Sequence, residues 1–140
     1  MRTLILAGIL LCACLSLPGC IGEMEPTICE AEVTLTQFEF FECEFWDGEN
    51  VKTLRIEMTS TGESPVHIYT IRADQEDSHL NCEDFLFHHS LSEEYSTGAS
   101  MEDDFHWHEF YVVFDHPKMC EEEDPSAPIA EISLKVIATY

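Results

Sequence analysis

Apolar and polar residues alternate along most of this chain after residue 28. From Glu30 to Thr36, Ala31, Val33 and Leu35 fall on one face. Phe38–Trp46 is a second strand-like run. Val51–Ser60 alternates again, with Leu54, Ile56 and Met58 on one side. Val66–Arg72 is rich in β-formers. Trp107–Asp115 is apolar on both faces, which suits a central strand of a packed sheet. Ile129–Tyr140 closes the chain with Ala130, Ile132, Leu134, Val136 and Ala138 inward. A period of two reads as strand, because successive side chains point to opposite sides.

Turn chemistry separates the runs. Asp47-Gly48-Glu49-Asn50 predicts a four-residue hairpin loop. Its register would set Trp46 against Val51, Cys43 against Leu54, Phe41 against Ile56 and Glu42 against Arg55. Thr61–Pro65 and Ser96–Ser100 read as further loops, and residues 117–128 as an acidic loop. The stretch from Ala73 to Asp104 reads as either a short helix or a short edge strand. About six to seven short strands with turns between them predict an all-β fold, an antiparallel Ig-like β-sandwich. The inward parity changes between Leu35 and Phe38, so a bulge, bend or reversal is expected there.

The first residues follow a different rule. One basic residue, Arg2, precedes an apolar run from Leu4 to Leu17, and Leu17-Pro18-Gly19-Cys20 follows. The run is too short to span a bilayer as a helix. The segment resembles the signal peptide of a prokaryotic lipoprotein precursor, with Leu three places before the cysteine and Gly just before it. Pro18 stands where Ala, Ser or Thr is usual. The resemblance implies that residues 1–19 are removed and that Cys20 becomes the N-terminus, carrying a thioether-linked diacylglyceryl group. Two acyl chains give stable anchoring. Ordinary secretion, with a cut after Ser16 or Gly22, is the alternative. The expected organisation is signal peptide 1–19, lipidated tether 20–28 and a disulfide-linked β domain 29–140. The expected address is the cell envelope of an exporting cell, and the outer membrane if the host is a diderm bacterium.

Cysteine usage fits that address. Cys12 and Cys14 leave with the leader and Cys20 takes the lipid. Cys29, Cys43, Cys82 and Cys120 remain, an even number that suggests two disulfides. The parity change favours Cys29–Cys43 and hence Cys82–Cys120. There is no Cys-x-x-Cys for a zinc ribbon or a redox pair.

With 28 acidic and six basic residues the formal net charge is −22. That argues against nucleic acid, whose affinity comes from Lys and Arg meeting phosphate. It favours a basic or cationic partner. His106-Trp107-His108 is the sharpest candidate for chemistry. In a strand the two imidazoles would share a face and could bind Zn or Cu, with Met101, His88, His89 and His116 as further ligands. Two histidines at this spacing are also ordinary polar positions. Glu102-Asp103-Asp104 and Glu121–Asp124 lack the spacing of a calcium loop. No Gly-x-Ser-x-Gly, His-Glu-x-x-His or phosphate loop is present. The sequence therefore predicts a non-catalytic binding or structural module without a cofactor, or alternatively a Zn- or Cu-binding envelope protein using His106 and His108. The aromatics Phe38, Phe40, Trp46, Tyr69 and Trp107 read as core and cross-strand packing, with an exposed binding row as the alternative.

Overall fold

The computed structural model describes residues 25–45, 51–107 and 109–140, together with the backbone of Arg2–Leu4 and Ile9–Leu10. Cys20, most of the leader and tether, Trp46 and His108 lie outside the described residues. From residue 25 on, eight strands follow in order. They are β1 (Thr27–Leu35), β2 (Phe40–Phe45), β3 (Thr53–Ser60) and β4 (Val66–Arg72), then β5 (Glu93–Ser96), β6 (Gly98–Asp104), β7 (Phe110–Asp115) and β8 (Ala130–Thr139). One five-residue helix, α1 (Glu76–Leu80), lies between β4 and β5. The first strand starts two residues inside the expected tether.

The described strands form two antiparallel four-stranded sheets. A front sheet runs β2-β7-β4-β5 and a back sheet β1-β8-β3-β6. The segments Arg2–Leu4 and Ile9–Leu10 pair with the outer edges of β2 and β1. Four pairs are nested like a folded ribbon: β1 with β8, β2 with β7, β3 with β6 and β4 with β5. That nesting defines the double-Greek-key jelly roll. The expected antiparallel sandwich is present, with one or two strands more than the sequence predicts. It shares its layered architecture with Ig-like domains, and its connectivity is that of the jelly roll.

Alternation decides which side of each strand is buried. Leu54, Ile56 and Met58 of β3 face Phe41, Cys43 and Phe45 of β2 across one core. Ile132, Leu134 and Val136 of β8 join them, as do Phe110, Val112 and Phe114 of β7. Each such side chain contributes about 1.5–3 kcal/mol by leaving water. The opposite side of the back sheet carries exposed Glu30, Arg55 and Glu131.

The predicted hairpin around residues 47–50 does not form. Cys43 pairs with Val112, Phe41 with Phe114 and Glu42 with Val113. Leu54 pairs with Ala138 and Asp103, and Arg55 with Ile137 and Glu102. The connection after β2 crosses from one sheet to the other. Both strands do turn the predicted residues inward. In a sandwich, however, a neighbour within the sheet and a strand facing across the core show the same alternation. Ser96–Ser100, read as loop, instead joins β5 to β6 at Thr97.

The reversal after Leu35 is a turn in which the Glu39 N–H donates to the Thr36 carbonyl at 3.0 Å. It carries the chain from β1 on the back sheet to β2 on the front sheet. Cys29–Cys43 then bridges the two sheets, with Cα atoms 6.1 Å apart. Cys82–Cys120, at 5.6 Å, ties the segment after α1 to the acidic loop after β7. Between them, these two segments cover the outer face of the front sheet with a third layer.

Candidate functional site on the covered face of the front sheet

Strand register builds this face in rows. Phe40, Asp115 and His67 are cross-strand neighbours, and Glu42, Val113 and Tyr69 form the next row. Phe40, Tyr69, Ile71, Tyr111 and Val113 make a second apolar cluster, packed from above by Leu80, Phe85, Phe87 and Met119. The cover is pinned by backbone bonds. The Ala73 N–H donates to the Glu109 carbonyl at 3.3 Å and the His88 N–H to the Thr70 carbonyl at 2.8 Å.

Inside this layer lies a buried hydrogen-bonded histidine–aspartate pair. The His79 Nε2–H of α1 donates to Asp115 Oδ2 of β7 at 2.7 Å, with side chains 2% and 5% exposed. The rings of Phe40, Tyr69 and Phe85 surround the imidazole with centroids 5.9, 6.3 and 5.1 Å away. Two polar atoms of the pair, Asp115 Oδ1 and His79 Nδ1, are buried without a hydrogen-bond partner. A buried group left unsatisfied costs about 1–3 kcal/mol, so such atoms call for a water or a ligand.

A pocket of about 230 Å³ opens beside the pair, lined by His67, Tyr69, His79, Phe85, Asp115 and Met119, with the Cys82–Cys120 bridge at its rim. Hydrogen bonds assign its histidines. His67 Nδ1 accepts from the Tyr95 N–H at 3.0 Å, so its neutral ring carries the proton on Nε2. His116, also on the wall, has both nitrogens engaged. Nδ1 accepts from the Lys118 N–H at 3.0 Å and Nε2–H donates to the Pro128 carbonyl at 2.7 Å. Only His79 keeps an unengaged lone pair in its neutral form. The Tyr69 hydroxyl donates to Glu94 at 2.9 Å. Burial first, then this bond, pushes its phenol well above the ordinary value.

Two residues here adopt the left-handed backbone that non-glycine residues avoid: Cys82 at φ 56° and Tyr95 at φ 51°. Cys82 lines the pocket and Tyr95 holds His67. Such outliers gather where surrounding structure forces them, often at functional sites.

A second constellation lies further along the face. Glu42, Glu44 and Glu76 offer carboxylate oxygens within 4.8 Å of one another, the one group of three with metal-ligand spacing among the described residues. Oxygen-preferring divalent cations take such ligands. Burial, then the nearby charges of Glu76 and Glu44, raises the Tyr111 phenol above its usual range.

The sequence-predicted residues are scattered. His106 is exposed in the irregular segment before β7, so it does not lie in a strand; His108 lies outside the described residues. His106 lines a separate pocket where Arg72 rests over the Trp107 ring, 5.1 Å from its centroid. His88 packs against Phe105 and Trp107, His89 is exposed, and Met101 packs on the sandwich core. Phe40 and Tyr69 are buried while Phe38 is 40% exposed, so these aromatics form no single exposed row. The acidic run 121–124 is held in place by Gln37. Its Nε2 donates to the carbonyls of Lys118 (3.0 Å) and Glu122 (2.7 Å), and its Oε1 accepts from the Asp124 N–H (2.8 Å).

Sequence reading missed His79, Asp115 and His67 as a set. One signal was present: Asp115 closes an otherwise apolar run, Phe110 to Phe114, where a carboxylate has no business unless it is paired. A comparison with protein-family models finds no match, and a comparison with curated proteins finds none either.

Proposed function

We propose that this chain is a lipid-anchored, non-catalytic module of the cell envelope whose domain binds a partner or ligand on the cover side. One observation carries the reading. A leader ending in Leu17-Pro18-Gly19-Cys20 precedes a domain whose remaining four cysteines pair as two disulfides. Oxidised bridges of this kind persist outside the reducing cytosol. Among the described residues no helix is long and apolar enough to cross a membrane; the attachment we propose is the lipid on Cys20. The non-catalytic part rests on the sequence, which carries no Gly-x-Ser-x-Gly, His-Glu-x-x-His or phosphate-loop motif. Zn or Cu at His106 and His108 is not carried further, because no observation on the described residues favours it.

Intact-mass analysis of the mature protein with membrane fractionation tests the anchor. The expected product begins at Cys20, carries acyl mass and sediments with membranes. An unmodified soluble product would overturn the reading.

A further inference from the structure

We infer that the outer edge of β2 takes up an extended segment of a partner protein, and that this segment carries a lysine or arginine opposite Glu44. The inference rests on the binding-module reading above and names where and what the module binds. The four-stranded sheets end in four edges, β2 and β5 in front and β1 and β6 behind. An open edge offers a row of N–H and C=O groups to any arriving strand, and folds blunt it by shortness, irregularity or charge. β5 has four residues, a shifted register against β4, and Tyr95 at φ 51°. β6 ends in Glu102, Asp103 and Asp104, and β1 sets exposed Glu30, Glu32 and Thr34 on its outer face. β2 keeps an unbroken register with β7 over six residues and contains no proline, glycine or lysine.

A strand already lies on this edge. Arg2–Leu4 runs parallel to β2, with Arg2 opposite Phe40, Thr3 opposite Phe41 and Leu4 opposite Glu42. Those residues belong to the leader, which the proposed processing at Cys20 removes. Among the described residues nothing pairs with the outer edge at Cys43–Phe45.

Register gives the partner its chemistry. Directly opposite residues on neighbouring strands share a face, with Cβ atoms about 5 Å apart. Residues opposite Phe41, Cys43 and Phe45 would extend the sandwich core, so apolar side chains fit there. A residue opposite Glu44 meets a half-buried acidic side chain, one of the three whose oxygens lie within 4.8 Å of one another with Glu42 and Glu76. A lysine or arginine fits that position. A second copy fits badly. Antiparallel pairing centred on Cys43 would set Glu42 and Glu44 of one copy against Glu44 and Glu42 of the other, and each chain carries a formal charge of −22.

The test uses the purified, oxidised full chain with Thr3→Pro and Leu4→Pro, which clear the edge because proline cannot join a ladder. The probe is a blocked peptide of residues 1–8 with Leu6→Lys, a position that the same register sets opposite Glu44. Saturable binding is expected, with the amide resonances of Phe40–Phe45 moving and those of β5 and β6 staying in place. Binding should be roughly tenfold weaker on the unsubstituted chain, whose own segment competes. N-methylation of the peptide at residues 3 and 5, or at residues 4 and 6, should weaken it roughly tenfold in one series only, since alternate residues bond to a given side. A Leu6→Glu peptide should bind roughly fivefold weaker than the Leu6→Lys peptide. Glu44→Gln with Glu76→Gln should bring the two within about twofold; if that variant fails to fold, loss of the difference at about 1 M salt reads the same contact. No saturable binding, no difference between the N-methyl series, equal affinity of the two peptides, or shifts confined to β5 or β6 would overturn the inference. Self-association of the cleared chain in sedimentation would put a second copy on the edge and overturn it too. Every arm keeps the leader attached, so failure here is distinct from failure of cleavage or lipidation at Cys20.

Discussion

Strand β7 serves two interiors that obey different rules. Phe110, Val112 and Phe114 point into the sandwich core, among aliphatic and aromatic side chains and the Cys29–Cys43 disulfide. Tyr111, Val113 and Asp115 point into the covered layer, where His67, His79 and Glu42 are buried among aromatics. The first interior is satisfied by packing alone. The second needs each polar group matched, and Asp115 Oδ1 and His79 Nδ1 are not. A fold that needed only stability would have filled both sides of β7 the same way. The contrast locates the fold on one face of the sheet and the candidate chemistry on the other.

Substitutions on the two faces of β7 test this contrast most severely. Phe114→Ala, fully buried in the sandwich, should cost about 3–5 kcal/mol in urea unfolding. Val113→Ala on the covered face should cost roughly 1–2 kcal/mol. Equal losses would mean that the covered layer carries as much of the fold as the core.

Breaking the buried pair comes next. His79→Ala strands Asp115 and should destabilise by about 3 kcal/mol, whereas the double change His79→Leu with Asp115→Leu should lie within about 1 kcal/mol of the parent. A double variant as unstable as the single would show that the pair is structural and not kept for a ligand.

The third experiment separates the cover from the sandwich. Cys82→Ser with Cys120→Ser should lower stability by about 2–3 kcal/mol. Amide exchange over Glu76–Leu80 should rise while β8 stays protected. Uniform exchange would merge the two regions into one cooperative unit.

The smallest effect is one of pH. The hydrogen bonds from Lys118 and then Ser126 hold the Asp124 carboxyl at about 2, below its ordinary 3.8. Its stabilisation is complete above 3.8 and disappears as pH falls through about 2. Amides of the acidic loop should lose protection over that window in the parent protein and show no such change in Asp124→Asn.

Much of the back sheet and of the sandwich core was legible in the sequence, because β1, β3 and β8 each keep one wet face and so alternate cleanly. The pairing of Cys29 with Cys43 followed from one parity change at residues 36–38. Pairing partners were not legible: Phe41 opposite Ile56 and Phe41 opposite Phe114 satisfy the same pattern. The front sheet hides more. Its strands are covered on both faces, so Val66–Ile71 and Phe110–Phe114 read as continuous apolar runs. The third layer comes from short helical turns, too brief to show a period. The site was lost for the same reason, since His79, His67 and Asp115 meet through α1 and a cross-strand register that no local pattern reveals. A shared face for His106 and His108 requires a strand, and His106 lies in irregular chain ahead of β7, which starts at Phe110.

The nesting of the strands has a temporal side. The back sheet is centred on β8, the last strand, which hydrogen-bonds β1 on one side and β3 on the other. Thr27 pairs with Ala138, nearly the whole length of the domain away. Such distant contacts make folding slow, since a long loop must close before its bonds form. The back sheet is completed only when β8 slots between β1 and β3, whereas the front sheet needs no contribution from it.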